Sequence, residues 1–307
     1  MSQKEAVVTV QGLRKYYRNI KAVDGIDFEI REGEIFGIVG PNGAGKTTTV
    51  ECIEGLRVPD AGKISVLNLD PQKDKNQLKR QIGIQLQEGR LPDRLKVREA
   101  IDLFDSFYGI PSNHKKILDE LGLLEKADSY YENLSGGQKQ RLVVALSLLG
   151  NPKIVFFDEL STGLDPQARR SIWDTVRSIR NSGKTVVLVT HFMDEAEFLC
   201  DRVAVIDYGK LLALDSPSNL VKSVFKSAMK ISFTSEQEFD FAQMMNGKLG
   251  QVQRDGNTIT VYCTSDASIV DIVSFLMNSG IIFDHISVDK LSLEDVFLSL
   301  TGRKVRD

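Results

Sequence analysis

The run Gly40-Pro41-Asn42-Gly43-Ala44-Gly45-Lys46-Thr47-Thr48 sets three glycines, one lysine and two hydroxyls in a pattern suited to holding phosphate. Gly40, Gly43 and Gly45 let the backbone bend so that successive N–H groups converge on an anion, and a helix beginning here adds the positive end of its dipole. Lys46 supplies a point charge for β- and γ-phosphates, and the Thr47 hydroxyl is an oxygen ligand for magnesium. The plainer reading is a glycine-rich turn with an incidental lysine. The setting argues against it: the apolar run Ile35-Phe36-Gly37-Ile38-Val39 precedes as a buried strand, and Thr49-Val50-Glu51-Cys52-Ile53 follows as a helix.

Two further groups carry chemistry. Ile154-Val155-Phe156-Phe157 is a continuous apolar run of the kind buried in a parallel sheet, and it ends in Asp158-Glu159. Two carboxylates at the carboxyl end of a buried strand are costly unless a metal or a reaction needs them. Asp158 suits magnesium, and Glu159 suits a general base or the orienting of a water. A second buried strand, Thr185-Val186-Val187-Leu188-Val189-Thr190, delivers His191 at the same end of a parallel sheet, where ligands bind. Leu134-Ser135-Gly136-Gly137-Gln138 opens a helix through Leu149, with the serine as N-cap and glycine N–H groups bare enough to meet an anion; by itself this is only a helix start. Tyr16 and Tyr17, in the stretch from Arg14 to Asp24, offer a flat face for a base or a cover for a sheet edge.

The elements that must position these groups read as follows. Strands at 6–10 and 26–30 flank a loop from Arg14 to Asp24, and a turn at 58–63 leads into a strand at 64–66. From Pro71 to about Gly150 the pattern is helical, with amphipathic helices at 97–107 and 115–124. A short strand at 82–85 interrupts it and leads to Gln87. His114 reads as a solvated residue at a helix start and Trp173, in a helix at 167–181, as packing. A helix at 194–200 and strands at 202–207 and 210–214 complete this part, and Asp215-Ser216-Pro217-Ser218 marks a boundary. Residues 228–307 change register to β (229–233), α (236–246), β (251–254), β (258–263), α (267–278), β (284–288) and a last helix at 292–300. The order βαββαβ predicts a small ferredoxin-like sandwich, and it holds no chemical motif; the basic ending at 303–307 reads as a solvated tail.

Composition bounds the function. A chain of 307 residues predicts one large domain and a smaller one. A net charge of −3 supplies no general positive field, which disfavours nucleic acid as partner. Cys52, Cys200 and Cys263 lack C-x-x-C spacing and are odd in number, so neither a disulfide framework nor a zinc site is expected. The longest apolar run, Val143 to Leu149, falls far short of the ~20 residues that cross a bilayer, and the first residues lack the pattern of an export signal. A membrane process would need another chain to supply the membrane.

Taken together, these stretches resemble the nucleotide-binding subunit of an ATP-binding cassette (ABC) transporter over residues 6 to about 220. The phosphate loop, Leu-Ser-Gly-Gly-Gln, the strand with Asp-Glu, Gly163-Leu164-Asp165 and Thr190-His191 occur in that family's order. The resemblance implies an α/β P-loop core with an antiparallel β subdomain and a helical subdomain at about 88–150, in a domain of residues 1–220, followed by an accessory or regulatory domain at 228–307. It also implies ATP and Mg²⁺ as cofactors. Residues 40–48 would hold the phosphates, Tyr17 would stack on adenine, and Gln87 would contact magnesium and sense the membrane partner. Glu159 would polarise the attacking water, His191 would hold the γ-phosphate, and Ser135 with Gly136 and Gly137 would meet ATP bound by a second subunit; Gln138 and Asp165 are expected among the nucleotide-binding residues. The working unit would be a dimer, of identical copies, at the cytoplasmic face of the cell membrane beside a polytopic permease.

Leu160 and Leu86 stand where the family usually has proline. The ending from Leu291 to Gly302 resembles the tail of prokaryotic exporter ATPases that move drugs, antibiotics or lipids. Two alternatives stay open: an importer ATPase with a ligand-sensing C-terminal domain, and an ABC ATPase that works without a membrane, for which the single cassette and the short span between Gln87 and Leu134 are unusual.

Overall fold

A computed structural model describes residues 5–85, 91–108, 113–225, 229–237, 251–263 and 269–302. Gln87, Leu86, most of the helix expected at 236–246 and the basic ending at 303–307 lie outside the described residues. The chain divides between Ser216 and Pro217 into two compact units.

In the first unit six strands form one sheet in the order β5-β6-β7-β3-β8-β9. Here β3 is Ile35–Val39, β5 Ile82–Gln85, β6 Ile154–Asp158, β7 Thr185–Thr190, β8 Arg202–Asp207 and β9 Lys210–Asp215. The pairs from β5 through β8 are parallel, and β9 pairs antiparallel to β8. Every residue of β3 and β7 is buried, which is why these segments read as continuous apolar runs. The parallel strands run the same way, so the turns after β3, β6 and β7 emerge together at their carboxyl ends.

A second, antiparallel sheet has the order β2-β1-β4, with β1 Ala6–Tyr17, β2 Ile20–Arg31 and β4 Ala61–Val66. Its inward residues Val8, Leu13 and Ile26 join one core with Phe36, Phe156 and Ile53, the last on α1 (Lys46–Ile53). The loop expected from Arg14 to Asp24 is instead the continuation of both strands into a hairpin, with only Arg18 and Asn19 between them. Register shifts between Val10 and Leu13, and again between Lys15 and Tyr16, break the alternation of apolar and polar residues by which a strand is recognised.

The helices of this unit are α1, α2 (Lys75–Leu78), α3 (Val97–Tyr108), α4 (His114–Glu120), α5 (Gly136–Ser147), α6 (Pro166–Asn181) and α7 (Met193–Leu199). His114 is more than a solvated helix start: its Nε2 lies 2.9 Å from Asp105 Oδ2. All three cysteines are buried and free.

The second unit begins with α8 (Pro217–Val224), a helix the sequence reading missed although Pro217 stands at the first position, where proline is well tolerated. A four-stranded antiparallel sheet follows in the order β11-β12-β10-β13, from β10 Met229–Thr234, β11 Gln251–Asp255, β12 Thr258–Tyr262 and β13 Asp284–Lys290. Ile231, Phe233, Ile259 and Val261 pack with Ile272 and Leu276 of α9 (Ile269–Asn278). The last helix, α10 (Leu293–Thr301), starts with a capping box between Ser292 and Asp295, and Asp295 also takes Lys230 Nζ at 2.7 Å.

Candidate active site

The turn after β3 is shaped by backbone that only glycine accepts. Gly45 sits at φ 102°, and a Cβ there would lie 2.1 Å from the Ala22 carbonyl oxygen; at Gly40 the corresponding distance to the Ile206 carbonyl is 2.0 Å. Gly45 is the N-cap of α1 and offers no side chain to the first-turn N–H groups, which stay available to an anion. Lys46 folds back over this loop and donates to the carbonyls of Gly40 and Pro41 at 2.8 and 3.0 Å. Burial pulls its ammonium below the ordinary lysine value, opposed by the carboxylates of Glu159 and Asp158.

Asp158 and Glu159 stand beside this loop. The Thr47 hydroxyl donates to Asp158 Oδ2 at 3.0 Å, while Asp158 Oδ1 is buried with no hydrogen-bond partner. Burial pushes the Asp158 carboxyl up from the usual carboxylate range, against the Thr47 bond. Glu159 Oε1 meets His191 Nδ1 at 3.1 Å, so the ends of β6 and β7 bring these two side chains together. Glu159 holds φ 51°, a left-handed conformation uncommon for a residue with a side chain. Gln85, at the end of β5, donates to the Asp158 carbonyl at 3.2 Å. Sequence reasoning passed over it; its place as a buried polar residue ending an apolar strand was the available signal.

Tyr17 ends β1, half-exposed, with Arg57 Cζ 5.3 Å and Lys15 Nζ 5.6 Å from its ring centre. Ser135, Gly136 and Gly137 lie elsewhere. They line a cleft with Gly163, Leu164 and Asp165, and no residue of the phosphate loop lines it. Ser135 and Gln138 form a reciprocal capping box at the start of α5: Gln138 N donates to Ser135 Oγ at 3.3 Å, and Ser135 N to Gln138 Oε1 at 2.9 Å. Asp165 caps α6, its Oδ1 accepting from the N–H groups of Gln167 and Ala168 at 3.0 and 2.9 Å. The expected site residues thus fall into two groups on one chain. The phosphate loop, Asp158, Glu159 and His191 make the first, and residues 135–137 with Asp165 make the second.

A family model described as ABC transporter matches residues 23–162. The Nod factor export ATP-binding protein I of Ralstonia nicotianae is 35% identical over 311 positions, spanning 98% of this chain and 95% of that protein. The protein of that name from a Rhizobium sp. is 36% identical over 308 positions, spanning 98% and 99%. Among solved structures, an ATP-binding cassette of an ABC transporter in its ADP conformation is 25% identical and superposes with a TM-score of 0.65 over 72% of this chain and 94% of that one. A dimeric cassette in a post-hydrolysis state bound to ADP and Pi is 28% identical, with a TM-score of 0.61 over 68% and 98%. The chain belongs to the ABC transporter family, whose nucleotide-binding cassettes bind ATP and hydrolyse it to drive transport.

Proposed function

We propose that this chain is the ATPase subunit of an ABC exporter and works as a dimer of two cassettes beside a separate membrane permease. The observation that carries the two-copy reading is a cleft lined by Ser135, Gly136, Gly137 and Asp165 but by neither the phosphate loop nor Asp158, Glu159 or His191. A second copy, turned to face the first, would bring its Ser135, Gly136, Gly137, Gln138 and Asp165 to the phosphate loop of its partner. The relatives named for Nod factor export align with 98% of the chain, the C-terminal unit included, and that supports export over import. The tail from Leu291 to Gly302 supports a cargo of the drug, antibiotic or lipid-like class. Among the described residues no helix is long and apolar enough to cross a membrane, in keeping with a permease supplied by other chains and a peripheral position at the cytoplasmic face.

The chemistry follows from the residues. Lys46 exchanges the carbonyls of Gly40 and Pro41 for the β- and γ-phosphate oxygens, the N–H groups in the first turn of α1 bind the same anion, and Tyr17 stacks on adenine. Glu159 orients the attacking water and accepts its proton, and His191, bonded to Glu159, contacts the γ-phosphate. Magnesium fits two donors of the described residues, the partnerless Asp158 Oδ1 and the Thr47 hydroxyl that bonds the same carboxylate; Gln87 is the third oxygen donor that the family resemblance implies. No cluster of three or more His, Cys, Asp or Glu side chains forms a metal cage among the described residues, which suits a cation that keeps waters and phosphate oxygens as ligands. When bound, the ion neutralises charge on the transferring phosphoryl group. ATP that binds the closed dimer better than the open one shifts the balance toward closure, and loss of the γ-phosphate releases it.

The C-terminal unit is proposed as an accessory or regulatory domain of ferredoxin-like type. Its all-antiparallel sheet order and the helix between β12 and β13 support that topology. The functional reading is tested by two substitutions: Lys46→Ala loses ATP binding, whereas Glu159→Gln binds ATP and loses turnover by about a hundredfold or more. Near-normal hydrolysis in Glu159→Gln overturns the role of that carboxylate.

A further inference from the structure

Glu195, on α7, is fully buried, and its contacts lead to the chain segment that carries Glu159. Glu195 Oε1 accepts from the Ser161 hydroxyl and, at 3.0 Å, from the indole N–H of Trp173. The same N–H reaches Ser161 Oγ at 3.2 Å. Three elements therefore converge on one oxygen: α7, which begins two residues after His191; α6, which carries Trp173; and the turn between Glu159 and Asp165, which carries Ser161.

Ser161 is the interior anchor of that turn. Its side chain is fully buried, while Thr162, Gly163 and Asp165 are exposed. The turn starts from the left-handed backbone of Glu159, a conformation that is strained for a residue with a Cβ and persists only where the surroundings over-determine it. Backbone bonds supply part of that constraint: Glu159 N donates to the Val189 carbonyl at 2.9 Å, and Thr162 N to the Glu159 carbonyl at 3.2 Å. The hydroxyl of Ser161 ties the turn to the helix that follows His191.

We propose that Glu195 is a positioning residue for ATP hydrolysis. Through Ser161 and Trp173 it fixes the turn from Glu159 to Asp165, so that the Glu159 carboxylate stays against His191 and the capping carboxylate of Asp165 stays in register with them. The inference rests on the role given above to Glu159. Burial pushes the Glu195 carboxyl above its ordinary value, against side-chain hydrogen bonds from Ser161, Thr190 and Trp173. A neutral amide is thus a fair substitute that keeps the accepting oxygen.

The test uses the purified full chain and measures ATPase kcat and KM together with the emission of Trp173, the sole tryptophan. In Glu195→Leu, kcat falls about tenfold or more while KM for ATP stays within about twofold, because a displaced reacting group costs turnover rather than ground-state binding. Ser161→Ala moves kcat the same way, and Glu195→Gln restores it to within about threefold of the wild type. Trp173 emission shifts in Glu195→Leu and holds in Glu195→Gln. A wild-type kcat in a folded Glu195→Leu protein overturns the inference; so does a rise of KM that accounts for the whole loss. Should Glu195→Leu not fold, Ser161→Ala decides by the same criteria. Glu159→Gln, run alongside, separates the two claims: if it still turns over, the role of Glu159 fails, and if it is dead while Glu195→Leu and Ser161→Ala are unimpaired, the positioning claim alone fails.

Discussion

Asp158 is the residue at which function and stability oppose each other most directly. Its Oδ2 accepts from Thr47 at 3.0 Å, and its Oδ1 is buried with no donor, beside the carboxylate of Glu159. Leaving a buried polar group unpaired costs about 1–3 kcal/mol, and more when it is charged. Asp158→Asn keeps an oxygen for Thr47 and removes the charge, but sets an amide where Oδ1 stood, so only part of that cost is recovered. The expected gain in the nucleotide-free protein is ~1 kcal/mol, or about 2–4 °C in Tm for a unit of this size. Thermal melts at neutral pH, in buffer alone, with ATP, and with ATP and Mg²⁺, read both effects. The variant melts higher than the wild type in buffer, and ATP stabilises both. Adding Mg²⁺ raises the wild type further and leaves the variant where it was, because the oxygen that would hold the ion is gone. A variant that melts lower in buffer refutes the cost assigned to the bare carboxylate. A variant that keeps the full Mg²⁺ response refutes the metal role.

Two further expectations concern the scaffold of the site. Glu54, buried at the end of α1, has its carboxyl pushed well up by burial, with Asp158 and Glu51 adding to the shift. Its protonated form is fully stabilising below the unfolded value of ~4.3, and that stability is lost as pH rises through the raised folded value. Glu54→Gln therefore matches the wild type in urea midpoint near pH 4 and gains over it progressively toward pH 8; a difference that shrinks with rising pH contradicts the shift. Gly45→Ala drives a Cβ to 2.1 Å from the Ala22 carbonyl at a left-handed φ, and a loss of about 3 kcal/mol or more in unfolding free energy is expected, with a loss within ~1 kcal/mol showing that the loop has slack.

The parts of the site that were legible in the sequence are those whose chemistry is local. The phosphate loop, the acids that end β6 and the histidine after β7 each declare themselves because a buried strand must be apolar until it reaches its end, where Asp158, Glu159 and His191 abruptly are not. The capping role of Ser135 follows from residue type and the adjacent helix. Contacts between distant segments were not legible. Trp173 read as packing because nothing near it in sequence points to Glu195, 22 residues on, or to Ser161, 12 residues back. The hairpin through Tyr17 was hidden by bulges that disrupt alternation, so a strand end read as a loop. The grouping of Asp165 with Ser135, away from Lys46, is likewise a property of the folded sheet and not of any local pattern.

The central claim is that ATP is held between two copies, the phosphate loop of one meeting the start of α5 in the other. Sedimentation of full-length Glu159→Gln, with and without ATP and Mg²⁺, tests it most directly, alongside the same protein carrying Ser135→Arg in the exposed cap of α5. The account predicts monomer without ATP, dimer with it, and, in the double variant, monomer that still binds ATP through its intact phosphate loop. ATP bound at full affinity by a persistent Glu159→Gln monomer, or a dimer that Ser135→Arg leaves undisturbed, contradicts it.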